Sequence, residues 1–249
     1  NIVMPGRTLS LCVEDNLLYM ANDQGIMRVY DISDIQNPVN MYGDIQFYGQ
    51  GNHISVAEIN NQKYALVSAG NSGLKIIAFN MPNIPIPVVI KSINTVPGAN
   101  VFKSVVSGNT VYLAEGINGI RQFDISDPFS PILIRHKQNI GTVVDLSVTE
   151  QYLYMARGDL GVALLSLNNF SLVSEFDTQG YSNSIDIDTR NIYISDRDEG
   201  FLIVSAINPS NLVSLCKIKS PSYIMSVVIK NKYAYVSSQT FCKIIQIRP

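Results

Sequence analysis

The sequence predicts an all-β protein, a six-bladed β-propeller of four-stranded antiparallel blades. Three observations carry this prediction. First, a glycine-led apolar phrase recurs: "GIMRVYDIS" from Gly25, "GLKIIAFNM" from Gly73, "GIRQFDIS" from Gly119, "GVALLSLNN" from Gly161 and "GFLIVSAIN" from Gly200. A sixth copy, "TFCKIIQI", has Thr240 where the glycine is expected. Second, the steps between these starts are 48, 46, 42, 39 and 40 residues, the period of a propeller blade. Third, no stretch sustains an i, i+3, i+4 apolar spacing. Val, Ile, Tyr and Leu instead gather in short runs punctuated by Gly, Asn, Asp and Pro, the pattern of strands and turns.

Each repeat resolves into four strands, taken in order. The first is an apolar run such as "VFKSVVSG" or "IMSVVIKN". The second is the tyrosine-rich run "NLLYMA", "KYALVSA", "TVYLAE", "YLYMAR", "NIYISD" or "KYAYVS". The glycine phrase is the third, and its leading glycine points to a tight turn with an unusual backbone angle. The fourth is opened in several repeats by a proline step, as in "NPVNMYGDI" and "SPILIRHKQ", because proline cannot continue a ladder. The expected repeats run from about 5–49, 50–97, 98–139, 140–179, 180–219 and 220–249 with 1–4, a single domain over 1–249. The sixth repeat stops after its third strand. The opening "NIVMPGR" aligns with the end of a fourth strand, so the N-terminal strand is expected to complete the last blade and remove two open sheet edges.

Composition narrows the function. The 249 residues are 46% hydrophobic and 15% charged, with net charge −2, enough for a folded core. Lys and Arg are scattered rather than gathered on one face, so nucleic-acid binding is not expected. No apolar run approaches the roughly 18 residues that span a bilayer. Cys12, Cys216 and Cys242 are far apart and odd in number. They read as buried strand residues, not as a disulfide framework or zinc site. The chain begins with Asn rather than Met, and localisation cannot be read from that end.

The phrases "GIMRVYDISDIQNP", "GIRQFDISDPFSP" and "YLYMARGDLGVALLSL" resemble the LVIVD repeat of bacterial and archaeal proteins. The resemblance covers essentially the whole chain. It is strongest in the first and third repeats, weaker in the second, where Asn80 replaces the acidic residue, and weakest in the sixth. It implies a β-propeller, often in secreted or surface-exposed proteins, with no shared catalytic motif.

In such a fold the loops between second and third strands gather on one face with those joining successive repeats. Charge concentrates there at Glu115, Arg157, Asp159, Asp196, Arg197 and Asp198, and His53 lies near the same mouth. These residues are the expected binding set. Lys103, Asp145 and Asp186 fall on first strands and are expected to line the channel. "DRDEG" gathers carboxylates that suit calcium, but the set ligand positions of an EF-hand are missing, so no cofactor is predicted. No nucleophile elbow, phosphate loop or zinc helix motif is present. The expected function is therefore a non-catalytic, monomeric interaction scaffold that binds a protein or glycan partner through this face. Two alternatives remain: a hydrolase or lyase with a polar pocket at the channel mouth, and a structural module of a larger surface protein.

Overall fold

Short runs rich in β-branched and tyrosyl residues, separated by turn-forming residues, can bury only one narrow strip each, so they pair into small sheets that stack. The computed structural model describes residues 2–79, 81–82, 86–197 and 199–247. All regular structure among them is β-strand, in six antiparallel sheets that follow one another in chain order. These are the blades of a six-bladed β-propeller.

Contacts within the chain separate two compact units, residues 1–136 and 137–249. The first unit opens with β1 (Thr8–Glu14), β2 (Leu17–Asn22), β3 (Ile26–Asp31), β4 (Val39–Asn40) and β5 (Ile45–Gln46). The fourth strand of this sheet is split. β4 and β5 both pair with β3, and Asn40 Oδ1 caps the N–H groups of Tyr42 and Gly43 in the turn between them. The second sheet is β6 (His53–Ile59), β7 (Gln62–Ser68), β8 (Leu74–Ala78) and β9 (Val88–Ile93). The third is β10 (Lys103–Ser107), β11 (Thr110–Ala114), β12 (Ile120–Asp124) and β13 (Ile132–Lys137).

The second unit holds β14 (Asp145–Val148), β15 (Tyr152–Ala156), β16 (Val162–Ser166) and β17 (Leu172–Phe176), then β18 (Ser182–Ile187), β19 (Asn191–Asp196), β20 (Gly200–Ser205) and β21 (Val213–Ile218). It ends with β22 (Ile224–Lys230), β23 (Tyr233–Ser238) and β24 (Cys242–Gln246).

Alternation along each strand builds the core between sheets. In β7, Tyr64 and Leu66 pack with Val111, Leu113 and Phe123 of the third sheet, while Ala65 and Val67 pack with Tyr19, Met27 and Val29 of the first. In the second unit Tyr154 and Leu164 meet Ile185, Ile194 and Leu202, and Tyr193 and Phe201 meet Val227, Ala234 and Val236.

The glycine that opens the third strand has two physical reasons. Gly73 and Gly161 have φ of 87° and 66°, a region that side chains rarely enter. A Cβ there would also stand 2.0 Å from the Ile93 carbonyl oxygen, or 2.3 Å from that of Phe176, in the fourth strand. The sixth repeat escapes both demands. Its turn is one residue shorter, so Phe241 takes the glycine's place: Ser238 N donates to the Phe241 carbonyl as Ala69 N does to that of Gly73. Its sheet, β22–β24, has three strands among the described residues, leaving no fourth-strand carbonyl to avoid.

That three-stranded sheet corrects the expected closure by the N-terminal segment. Residues 2–7 form no strand. Their carbonyls are already engaged by the first sheet: Arg28 Nη1 and Tyr30 Oη donate to Val3, and Asn22 Nδ2 donates to Pro5. Gly6, at φ 69°, turns the chain into a hydrogen-bonded contact between Arg7 and Asp23. The cysteines need a second correction. All three are free, but Cys216 and Cys242 are exposed and Cys12 is half-buried, because fourth strands and the last sheet present one side to solvent.

Candidate functional site

The residue that ends each second strand, or directly follows it, stands at the mouth of the glycine turn, and there the sequence predicts a charged rim. The structure buries these side chains instead. Asn22, Glu115 and Asp196 are 0% exposed and Arg157 is 5% exposed. Asn22 Oδ1 accepts from Gln24 N and Ile26 N. Glu115 is held by both arms of Arg121, with Nε 2.6 Å from Oε2 and Nη2 on Oε1, while Nη2 also donates to the Asn94 carbonyl. Arg157 Nη1 donates to Glu175 Oε1 at 2.5 Å, and Nη2 donates to the Leu160 carbonyl at 3.0 Å. The turns of the first, third and fourth sheets are thus each pinned by a buried polar residue, whereas the second sheet has Ala69 at this position.

Asp196 departs from this pattern. Neither carboxylate oxygen has a hydrogen-bond partner among the described residues, and the hydroxyls of Thr178 and Ser195 are likewise unpartnered. The carboxylate lies so close to Gly180 that a Cβ there would be 2.7 Å from Oδ2. Lys217, which occupies the register that Glu175 holds in the preceding sheet, pairs with Glu199. Burial above all pushes Asp196 up to about 6, reinforced by Glu199 and Asp177. The Thr178 hydroxyl nearby and the Lys217 charge offset part of this, although the Thr178 geometry falls short of a hydrogen bond.

The remaining members of the expected set are dispersed. Asp159 is exposed. Arg197 lies 3.7 Å above the Tyr181 ring, a cation–π contact. Asp198 lies outside the described residues. His53 begins β6 half-buried, with Nδ1 enclosed and unpartnered. Burial first, and the Lys103 charge second, push it down to about 3, so it is neutral at physiological pH. No group of three His, Cys, Asp or Glu among the described residues is arranged to hold a metal ion.

The polar residues of the first strands clamp one sheet to the next. Ser10 Oγ accepts from Ile54 N, Asp145 Oδ2 from Ile185 N, Ser184 Oγ from Val227 N, and Asp186 Oδ2 from Ile229 N. Asp145 and Asp186 also accept, through Oδ1, from the N–H of the residue that follows. These bonds hold the first-strand carboxylates in place: backbone donors on two sheets share the charge. Asp145→Ala is expected to cost about 2 kcal/mol, since it strips a buried N–H of a charged acceptor. Asp145→Asn, which retains one acceptor oxygen, should recover part of that loss in urea denaturation.

A cavity lies at the other end of the sheets, where the sequence pointed to no site. It is a cleft of about 710 Å³ between the fourth and fifth sheets. Tyr152 and Tyr154 line it edge to face, with ring centroids 6.4 Å apart. Ile207, Pro209, Glu150 and Arg190 complete its walls. Glu150 belongs to the β14–β15 turn and Arg190 to the β18–β19 turn; both are exposed and neither has an ion pair among the described residues. A neighbouring hollow of about 480 Å³ shares Glu150, Gln151 and Tyr152 and extends toward Ser166 and Asn168. The positions come from two repeats and form no linear motif. The signal that could have found them is comparison between repeats. Asp15 holds the place of Glu150 and Lys63 that of Arg190, and there the two charges pair at 2.5 Å.

Small antiparallel sheets, pinned turns and sheet-to-sheet clamps define a repeat-built β-propeller. Residues 103–136, 140–164 and 179–217 match the model of the LVIVD repeat, and the chain carries LVIVD repeats. The fold is similar to a chain of a mitotic checkpoint complex crystal structure, with TM-score 0.77 and 12% identity over 97% of this chain and 75% of that one. It is also similar to the computationally designed Ika8 protein, with TM-score 0.71 and 13% identity over 96% of this chain and 71% of that one. The designed Ika4 protein aligns with TM-score 0.54 and 14% identity over 63% of this chain and 96% of that one. Comparison with curated proteins finds no match. Among the described residues no helix is long and apolar enough to cross a membrane.

Proposed function

We propose that this protein is a monomeric, non-catalytic interaction scaffold that takes an extended peptide segment of a protein partner in the cleft between its fourth and fifth sheets. One observation carries the reading. Glu150 and Arg190 occupy positions where the first two repeats form an ion pair, yet they stand unpaired on the walls of a cleft lined by two tyrosines. Tyrosines offer apolar area with a polar tip, and unpaired charges of both signs can pair with a segment carrying a basic and an acidic side chain. Repeat-built propellers commonly serve as interaction scaffolds, which supports the same reading.

The hydrolase or lyase alternative called on the charges of the glycine turns. Glu115 and Arg157 there are committed to ion pairs that hold backbone, which favours the scaffold. The test is selection of peptides from a displayed library on immobilised protein, followed by calorimetric titration. Arg190→Ala and Glu150→Ala are each expected to weaken the selected peptide about tenfold, the loss of one charged contact. Melting temperatures should not change, because both residues are exposed. Undiminished binding in both variants would overturn the site, and a glycan ligand sensitive to the same two changes would overturn the protein partner.

A further inference from the structure

We infer that the gap between the first and second sheets is a second site for the same kind of peptide segment, held shut by the Asp15–Lys63 ion pair; this rests on reading the larger cleft as a peptide site. The correspondence is positional. Asp15 lies seven residues before Asn22 and Glu150 seven before Arg157; Lys63 lies six before Ala69 and Arg190 six before Asp196. Tyr19 and Tyr154 likewise hold one place, three residues before the end of each second strand's turn position. In both gaps that tyrosine is buried in the inter-sheet core and lines the cavity. Tyr42 and Phe79 give the smaller gap its remaining aromatic wall, with rings 6.1 Å apart.

What differs is the mouth. Between the fourth and fifth sheets the charges are apart and the cavity measures about 710 Å³. Between the first and second they meet at 2.5 Å and the cavity measures about 280 Å³. The Asp15 and Lys63 side chains are 71% and 38% exposed. A pair so placed is screened by water and exchanges partners readily. A segment carrying both charges can therefore replace each half of the latch with a contact of its own. A smaller mouth and a latch to break make this the weaker of the two sites.

The experiment titrates the peptide selected on the wild-type protein into four proteins: wild type, Asp15→Asn, Arg190→Ala, and the combination of the two. Wild type is expected to take up one equivalent in the range that saturates the larger cleft. Asp15→Asn should take up two, with the first affinity unchanged within about twofold, as expected when an exposed pair is removed. The combined variant should keep one. If Asp15→Asn still takes up one equivalent, lost on Arg190→Ala, the second site is overturned and the larger cleft stands. Uptake indifferent to Arg190→Ala but increased by Asp15→Asn supports the second site and removes the larger one. Uptake indifferent to both changes overturns both. Equal melting temperatures across the set show that each protein is folded.

Discussion

Arg121→Ala is expected to destabilise the protein by about 3–5 kcal/mol, the cost of leaving a buried charge without its partner. Glu115 is 0% exposed and receives two hydrogen bonds from the Arg121 guanidinium, which also donates to the Asn94 carbonyl and stacks 5.0 Å from the Phe123 ring. Truncation removes all of these and strands the carboxylate inside the turn that links β11 to β12. The neutral exchange differs. Glu115→Leu with Arg121→Met fills the same volume without any charge to desolvate, and such replacements are often neutral or stabilising. The double variant should therefore sit within about 1 kcal/mol of wild type, while either single change does not. Urea midpoints compared at equal m-values measure this. A single Arg121→Ala variant as stable as wild type would show that the pair does not hold the turn.

That same pair shows where the sequence could be read and where it could not. The strands were legible because alternation and the recurring glycine phrase are local. "TVYLAE" contains β11, "GIRQFD" contains β12, and the leading glycine, at φ 78°, marks the turn between them. The fate of Glu115 was not legible. Beside glycine in a turn, a carboxylate looks solvated, and its partner stands six residues away across a strand pair. Arg157 finds its partner eighteen residues on, in a fourth strand. The N-terminal closure failed for a related reason: alignment reports likeness of phrase, but Val3 and Pro5 had already given their carbonyls to Arg28, Tyr30 and Asn22. Register picked out the first-strand carboxylates Asp145 and Asp186, but their role as acceptors became visible only with the N–H groups of Ile185 and Ile229 facing them. The cleft draws its walls from two repeats, so a reading that followed one repeat at a time passed over it.

Asp196→Asn is expected to make the protein more stable at neutral pH. An Asp in the unfolded chain ionises near its ordinary value of 3.8, whereas burial raises Asp196 to about 6 in the folded protein. Below pH 4 the carboxyl is protonated in both states and costs nothing. As pH rises through 4 and then 6, the unfolded chain gives up the proton first. Ionisation therefore favours unfolding, and stability falls until it levels off above 6. The loss integrates to on the order of 3 kcal/mol. The groups facing Asp196 set this outcome: Lys217 is drawn off by Glu199, Asp177 and Glu199 add like charge, and Thr178 supplies too little to offset burial. In the preceding sheet Arg157 meets Glu175 across the same register and no such cost arises. Asparagine at position 196 keeps the shape and removes the titration. Its advantage should be absent at pH 4 and grow to its full size by pH 7, read from urea unfolding across that range. Parallel curves for wild type and variant would mean that the carboxylate is ionised at no cost, and that Lys217 or the Thr178 hydroxyl reaches it after all.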